Sequence, residues 1–398
     1  MRSPPPPDRF SAFDASKRYV VVNIVIITNS DMYEDRAELI RSRLAARHSV
    51  TVISTDFLHI KKKKRESGRE HFIHLPTKPY KKNISVGRML SHRKFAKAAI
   101  KEAEKHSPDL MWIMLPANSN ADFAVKYKRK HNSVRLVFDI IDMWPESFPL
   151  KKYASLPPFA RWRNLRDKSL KHADYVVSEC DLYREMLAEK LENIPNGTLY
   201  LAKDPLNTEK LPSLPDNGIG LCYLGSVNNI IDIPLIARFV AALSALTTVT
   251  VEIIGSGERM DEFVSAVESA GGRVVLHGAV YDPAEKQKIF DTCHFGINVM
   301  RPTVCVGLTM KSMDYLEGGL PLVNNIKCDT ARFVDNFGAG VNISESDEDL
   351  TRKAELIAGL SKEELLSMRE GAEKVFRDHL TTEVFVRTLD GICKSLGV

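Results

Sequence analysis

The segment Leu308–Asn325, LTMKSMDYLEGGLPLVNN, joins a helical pattern to side chains that could bind an anion. A helix that begins after a loop presents unpaired backbone N–H groups and the positive end of its dipole. The N–H groups of Leu308, Thr309 and Met310 are therefore expected to hold a diphosphate, as helix N-termini do in many phosphate sites. Lys311 adds a positive charge at the same end of the helix.

One helical turn after Lys311, Asp314 offers a carboxylate that only accepts hydrogen bonds, which suits the two hydroxyl groups of a ribose. Gly318 and Gly319 then end the helix, and Pro321 prevents it from restarting. A plain helix end before a buried strand accounts for the same pattern. The segment by itself leaves both interpretations open.

The elements that must position these residues alternate along the chain between apolar strands and amphipathic helices. Val20–Thr28 reads as a strand, Asp35–His48 as a helix and Val50–Ser54 as the next strand, and the second half repeats the pattern. Such alternation is typical of βαβ units, which build parallel sheets covered by helices on both faces. The expected fold class is α/β, with two doubly wound Rossmann-like domains facing each other across a cleft. Ligands of such folds bind at the carboxyl ends of the strands.

A stretch rich in proline and glycine after Lys203 divides the chain, as a linker between domains would. With 398 residues the chain is long enough for two domains. The predicted divisions are a flexible lead (1–19), a first domain on the acceptor side (20–203), a linker (204–218), a second domain for the nucleotide (219–379) and a C-terminal helix that could cross back (380–398).

Charge is divided unevenly between the two halves of the chain. Residues 1–215 hold 39 Lys and Arg against 25 Asp and Glu, whereas residues 216–398 hold 17 against 26. The basic half contains a run of five cations: Lys61, Lys62, Lys63, Lys64 and Arg65. This run is expected to dock on anionic lipid headgroups or on an acceptor, and a solvated lysine-rich loop is the plain alternative. Nucleic acid is not expected as a partner, because aromatic side chains are sparse there and no recognised motif occurs.

Cysteine usage and hydropathy indicate the compartment. The six cysteines are scattered without CxxC or Cys/His ligand spacing, which predicts reduced thiols, no structural zinc and a cytoplasmic protein. No apolar run reaches the roughly 18 residues of a membrane span. The N-terminal residues MRSPPPPDRF lack the apolar core of a secretory signal. The expected location is the cytoplasm, with peripheral attachment to the inner face of the membrane through the basic run.

The segment KSMDYLEGGLPLVNN resembles a motif, K-x-x-E-Y-x-x-x-G-x-P-V-V, of glycosyltransferases with the GT-B fold, especially the large family four. FDIIDMWPES, around Asp142, is similar to the D-L-W-P-E-S motif of bacterial glycosyltransferases that build cell-surface polysaccharides. Between the two, CYLGS, VEIIGSGE and VLHGAV follow the order and spacing of the same family. The resemblance covers most of residues 20–398.

The resemblance implies a donor site for a UDP- or GDP-linked sugar on the second domain. Loops that follow strands would line it, because glycines there let the backbone approach a phosphate closely. Besides the segment that begins at Leu308, the residues expected in the site are Gly225, Ser226, Gly255, Gly278, Val280 and Arg301. Tight strand-to-helix turns explain the glycines without a ligand, and a surface position explains Arg301. No cofactor or metal is expected, since no DxD pair occupies a suitable loop.

On the first domain, carboxylates follow the predicted strand Arg135–Ile141 and would face the cleft. Transfer with inversion needs a base for the acceptor hydroxyl, and a partly desolvated carboxylate supplies one. Asp142 is the first candidate for this catalytic role and Glu146 is the second. Asp142 could instead form a turn before Pro145, or orient the acceptor in a retaining enzyme, so the stereochemistry stays open.

The resemblance predicts transfer of a hexose or N-acetylhexosamine from a nucleotide-diphosphate sugar to a saccharide or lipid-linked acceptor, in polysaccharide or glycoconjugate synthesis. The family's E-x7-E pair is degenerate here, because Val306 and Asp314 occupy its two positions. The loop GSVNNIID also lacks the cations that the family often has there. A non-catalytic GT-B subunit or scaffold partner and a nucleotide-sugar epimerase therefore stay open as alternatives. A dehydrogenase is disfavoured, since no complete G-x-G-x-x-G follows the first strand.

Overall fold

The computed structural model describes residues 21–147, 156–206, 208–215 and 217–398. The predicted flexible lead, residues 1–19, lies outside this range. Within it the chain forms two parallel sheets flanked by helices, which confirms the predicted α/β class with two Rossmann-like domains.

The first half of the chain alternates strands with helices in the following order. It contains β1 (Asn23–Ile27), α1 (Glu34–Ala45), β2 (Ser49–Thr55), β3 (Phe57–Leu58), β4 (Lys63–Lys64), β5 (Phe72–Leu75), α2 (Val86–Glu104), β6 (Leu110–Leu115), α3 (Asn118–Lys128), β7 (Arg135–Ile140), α4 (Pro157–Leu170), β8 (Tyr175–Ser178), α5 (Asp181–Met186), α6 (Ala188–Leu191) and β9 (Asn196–Thr198).

The second half continues the alternation and ends in helices. It contains β10 (Ile219–Leu224), α7 (Ile233–Ser244), β11 (Val249–Ile254), α8 (Met260–Ser269), β12 (Arg273–Gly278), α9 (Pro283–Asp291), β13 (Phe295–Asn298), α10 (Met310–Glu317), β14 (Leu322–Asn324), α11 (Asp329–Phe337), β15 (Gly340–Asn342), α12 (Asp347–Ala358), α13 (Lys362–Val375), a π-helical turn (Phe376–Leu380) and α14 (Thr382–Ser395).

The first sheet has seven parallel strands in the order β5-β2-β1-β6-β7-β8-β9. Every residue of β6 is buried, as expected for a strand that helices cover on both faces. The strand order reverses between β1 and β6. A reversal of this kind leaves a crevice at the carboxyl ends of the strands, where open α/β sheets bind their ligands.

The second sheet has six parallel strands in the order β12-β11-β10-β13-β14-β15, and its order reverses between β10 and β13. Two loops leave the sheet at this reversal, residues 225–232 after β10 and residues 299–309 after β13. The second loop leads directly into α10. The fold therefore brings Ser226 and the start of α10 to the same edge of the sheet.

The C-terminal helix α14 packs on the first domain, although it follows the second domain in the chain. Its apolar side chains enter the core beneath the first sheet: Phe385, Leu389, Ile392, Cys393 and Leu396. Arg43 of α1 donates two hydrogen bonds to Asp390 of α14, at 2.5 and 2.7 Å. Helix α14 thus ties the end of the chain to the domain in which it begins.

The two domains meet at the carboxyl ends of their sheets. Asp329, at the start of α11, is only 1% exposed and accepts hydrogen bonds from the backbone N–H groups of Asp181 and Leu182 at 2.7 and 3.0 Å. A carboxylate of the second domain therefore satisfies the first turn of α5 in the first domain. Tyr200 donates to the same carboxylate at 2.8 Å. This contact holds the loops after β8 and β14 together at one end of the cleft.

Candidate functional site

Gly225, Gly255 and Gly278 lie at the carboxyl ends of the neighbouring strands β10, β11 and β12. Gly225 donates its N–H to Ile254 at 2.8 Å, and Gly255 donates to Gly278 at 2.6 Å. All three glycines have positive φ angles, of 116°, 142° and 64° in chain order. A Cβ on Gly255 would lie 2.1 Å from the Gly225 carbonyl oxygen, whereas Gly225 and Gly278 have open space at that position. Backbone packing explains Gly255, and the open space leaves room for a ligand beside the other two.

Replacing Gly255 with alanine is expected to lower the free energy of unfolding by about 2–4 kcal/mol, because the new Cβ would overlap backbone at a strained φ. Urea unfolding measures the change. The control is Gly391→Ala in α14, where nothing lies within 4 Å of an added Cβ and helix propensity should raise stability by about 1 kcal/mol. Equal stability of Gly255→Ala and the native protein would contradict this backbone arrangement.

Tyr223, which was not among the predicted site residues, contacts both Lys311 and Ser226. Tyr223 lies in β10, is buried and donates its hydroxyl to the Ser226 carbonyl oxygen at 2.9 Å. The Lys311 ammonium donates to the same hydroxyl at 3.3 Å and lies 4.3 Å from the centre of the Tyr223 ring. A cation over an aromatic face gains about 0.5–2 kcal/mol. Tyr223 thus holds the ammonium between the loop after β10 and the first turn of α10.

Helix α10 begins with a capping box. Thr309 accepts a hydrogen bond from the Ser312 N–H, and the Ser312 hydroxyl accepts one from the Thr309 N–H, both at 3.1 Å. The Thr309 N–H is therefore occupied, and the Leu308 side chain is buried. The N–H groups of Met310 and Lys311 make no hydrogen bond to any residue in the described ranges. These two N–H groups are therefore available to bind an anion, which the helix dipole would also attract.

The Lys311 ammonium is a partly buried charge without a counter-ion. No carboxylate in the described part of the chain pairs with it, and burial lowers the pKa of Lys311 to about 8. Leaving a cation desolvated and unpaired costs stability, so proteins rarely do it without a ligand or a partner. The position is therefore suited to an anionic ligand, which would supply the negative charge that Lys311 lacks as a partner.

Asp314 belongs to a cluster of charges on the next turn of α10. Its Oδ1 accepts hydrogen bonds from Lys203 at 2.6 Å and from Lys286 at 3.2 Å. Lys203 also pairs with Glu317. Burial lowers the pKa of Lys203, but the carboxylates of Asp314 and Glu317 outweigh it and the net shift is upward. The Asp314 Oδ2 has no partner within the described residues, so one oxygen stays available for a ribose hydroxyl.

Val280 and Arg301, both predicted for the site, lie on different parts of the second domain. Val280 is partly buried and packs on the core beside α10. Arg301 is partly exposed and lines a surface hollow of about 330 Å³ with Asp232, Arg238 and Glu345. Of the two predicted cations, Arg301 and Lys311, only Lys311 belongs to the first turn of α10.

On the first domain, Asp142 follows β7 and is held by a neighbouring indole. The Trp144 N–H donates to its Oδ2 at 2.5 Å, and the side chain is partly exposed. Burial raises the pKa of Asp142, although hydrogen bonds from Ser147 and Trp144 oppose the shift. A partly exposed carboxylate with a raised pKa, fixed in one orientation, has the properties of a general base.

Glu146, the second predicted candidate, is engaged in a buried ion pair. Arg166, whose side chain is 1% exposed, donates to both of its oxygens at 2.8 and 3.1 Å. Arg166 also pairs with Asp167 at 2.8 Å, so two carboxylates balance its buried charge. The ion pair with Arg166 gives Glu146 a structural role in the loop. Because the Glu146 oxygens are already engaged, Asp142 is the better candidate for the base.

Glu179, which was not among the predicted site residues, directly follows β8 as Asp142 follows β7. Burial raises the pKa of Glu179 to about 8, with Arg36 opposing the shift and Asp142 adding to it. Its partly exposed carboxylate has no hydrogen-bond partner in the described part of the chain. Its place at a strand end was the one available signal. Two carboxylates with raised pKa values therefore line this wall of the cleft.

The basic run at 61–65 is largely neutralised by neighbouring side chains. Three of its five members form ion pairs: Lys63 with Glu66 (2.8 Å), Lys64 with Asp56 (2.7 Å) and Arg65 with Glu34 (2.6 Å). Lys62 donates to the side-chain oxygen of Asn83, and Lys61 is exposed and has no partner in the described ranges. The run is therefore a weaker lipid anchor than its composition indicates.

Neither a metal-binding cluster nor a membrane-spanning helix occurs among the described residues. No group of three or more His, Cys, Asp or Glu side chains is arranged to hold a metal ion there. None of the helices in that part of the chain combines the length and the apolar character of a membrane span.

Comparison with solved structures finds similar folds along nearly the whole chain. Sucrose-phosphate synthase from Thermosynechococcus elongatus is 12% identical, with 94% of this chain and 99% of that chain covered and a TM-score of 0.67. A glycosyltransferase from Rickettsia africae is 15% identical, with 95% and 99% covered and a TM-score of 0.64. HepE from Anabaena, solved with UDP and glucose, is 12% identical, with 94% and 100% covered and a TM-score of 0.63.

Neither protein-family models nor curated proteins gave a match to the sequence. The structural likeness is therefore the informative comparison. It shows that the chain has the GT-B fold, as its motifs predicted, and that this fold extends over both domains.

Proposed function

We propose that this protein transfers a sugar from a UDP- or GDP-linked donor to a saccharide or lipid-linked acceptor. The donor would lie on the second domain, with its diphosphate at the start of α10 and its ribose near Asp314. The acceptor would lie on the first domain, beside Asp142. The complex of the similar HepE with UDP and glucose supports the choice of donor class.

The observation that carries the proposal is the unpaired Lys311 ammonium at the first turn of α10. A nucleotide diphosphate gains negative charge as its bond to the sugar breaks. Lys311 and the free N–H groups of Met310 and Lys311 would stabilise that charge without having to reorganise, which is the most effective form of electrostatic catalysis.

In a transfer with inversion, the acceptor oxygen bonds to the anomeric carbon while the bond to the diphosphate breaks. Asp142 would take the hydroxyl proton, and the electron pair of the broken bond would stay on the diphosphate beside Lys311. In a transfer with retention, Asp142 would only orient the acceptor. The residues serve both outcomes, and the anomer of the product decides between them.

The test is a calorimetric titration of the purified protein with UDP, GDP and their sugar conjugates, together with an assay for release of each sugar. We expect micromolar binding of one nucleotide and slow hydrolysis of its conjugate, since water would replace the missing acceptor. Absence of binding by every nucleotide would overturn the proposal.

A non-catalytic GT-B partner subunit is the second candidate, and Val306 favours it. The family's first glutamate falls at this position, and here an apolar side chain packs against the core of the second domain. The same experiment separates the two functions, because a scaffold would bind a nucleotide weakly or not at all and would release no sugar.

A further inference from the structure

Helix α2 and the loop before it expose cations that have no counter-ions. Residues 71–101 contain eight Lys and Arg and no Asp or Glu. Seven of these cations are exposed and form no ion pair within the described ranges: Lys78, Lys81, Lys82, Arg93, Lys94, Lys97 and Lys101. Unpaired positive charge is therefore denser here than on the largely neutralised run at 61–65.

The same surface exposes large apolar side chains. Val86 is 71% exposed, Leu90 50% and Ile84 38%, and Ile60 on the adjoining turn is 73% exposed. Val86 and Leu90 are four residues apart and therefore lie on one side of α2. Arg93, Lys94 and Lys97 extend the same side. The opposite side of α2 is buried in the first domain.

We propose that this face of α2 and its preceding loop, the α2 face, docks on a bilayer that contains anionic lipids. Lysine and arginine near such a surface are attracted to the phosphate headgroups. Exposed valine, leucine and isoleucine side chains gain free energy by entering the boundary between headgroups and acyl chains. A nucleic acid would use the cations but would leave the apolar side chains in water, so the combination favours a lipid surface.

The buried side of α2 contacts Trp144, the residue that holds the candidate base Asp142. Arg88 of α2 stacks on the Trp144 ring at 3.8 Å, and Trp144 donates to Asp142 at 2.5 Å. Docking through the α2 face would therefore bring the Asp142 loop close to the headgroups. On the proposed function, which this step assumes, the acceptor is a lipid-linked saccharide that stays in the membrane. The docking itself does not depend on that function.

The test is co-sedimentation of the full chain with vesicles of phosphatidylcholine alone or mixed with phosphatidylglycerol. Binding is expected only to the mixed vesicles. Lys81→Ala combined with Lys94→Ala should weaken it by about 30-fold. The matched control is Lys362→Ala with Lys394→Ala, which removes two exposed lysines outside the α2 face and should leave vesicle binding within about threefold of the native protein.

A second pair of variants tests the apolar contribution. Val86→Ser with Leu90→Ser should weaken vesicle binding by about tenfold or more. Leu246→Ser with Leu356→Ser is the control, because these side chains are 50% and 42% exposed on the second domain. Equal losses in test and control pairs, or no preference for anionic vesicles, would overturn the proposal. So would binding of single-stranded RNA that the lysine pair abolishes while vesicles stay unbound. Nucleotide titration of the same variants keeps failure of docking distinct from failure of the donor site.

Discussion

Replacing Lys311 with methionine is expected to weaken binding of the nucleotide by about 10- to 100-fold, because a hydrogen bond to a charged group contributes about 1.5–3 kcal/mol. The same change is expected to raise the stability of the free protein. Folding lowers the pKa of Lys311 from 10.5 to about 8. Its charge therefore destabilises the fold fully below pH 8, and this cost disappears between pH 8 and 10.5. Methionine fills similar space without the charge.

Calorimetry with UDP or GDP and urea unfolding at pH 7 measure the two effects. Lys362→Met is the control, since Lys362 is exposed on α13 and should change neither quantity. In the native protein, affinity should also fall as the pH rises above about 8, where the Lys311 ammonium loses its proton, and the variant should lack this dependence. Lower stability with unchanged affinity would make Lys311 a structural residue and remove the anion site.

The overall fold was predictable because its elements are long and apolar. Buried strands such as β6 and amphipathic helices such as α7 are set by local patterns that short windows of sequence contain. Alternation of the two then leaves few topologies besides parallel sheets. Some of the short elements escaped prediction because they lack such a pattern. Strand β15 has only three residues. Strand β3 has two and pairs with β4, which lies within the lysine run. Neither is long enough to show a hydrophobic pattern.

Part of the site was predictable from position and part was not. Lys311, Gly225 and Asp142 follow strands or begin a helix at a sheet edge, where the fold class places ligands. The pairing of Lys203 with Asp314 spans 111 residues, and no spacing in the sequence indicates it. Tyr223 reads only as one more apolar position of a buried strand. Its contact with Lys311 becomes visible once β10 and α10 are placed side by side.

Asp142→Asn is expected to lower kcat for transfer by about 10²- to 10⁴-fold, the usual contribution of a general base. Asparagine keeps an oxygen that can accept the Trp144 hydrogen bond, so the loop should keep its structure. Nucleotide affinity should stay within about twofold of the native value, because Asp142 lies on the other domain and a distant neutral change has little effect. The measurement pairs transfer kinetics with calorimetry, and unchanged kcat would exclude Asp142 as the base.

The pH dependence of transfer decides whether Asp142 or Glu179 takes the proton. Burial raises the pKa of both, to about 8 for Glu179, whose charge neighbours are Arg36, Asp139 and Asp142. If Asp142 is the base, Glu179→Gln retains kcat/KM and its pH dependence. If Glu179 is the base, kcat/KM rises through pH 8, and the glutamine variant loses both the rise and the activity. We expect the first result, because Trp144 fixes the Asp142 carboxylate in one orientation whereas the Glu179 carboxylate has no such partner in the described residues, and a base must be positioned before it can act.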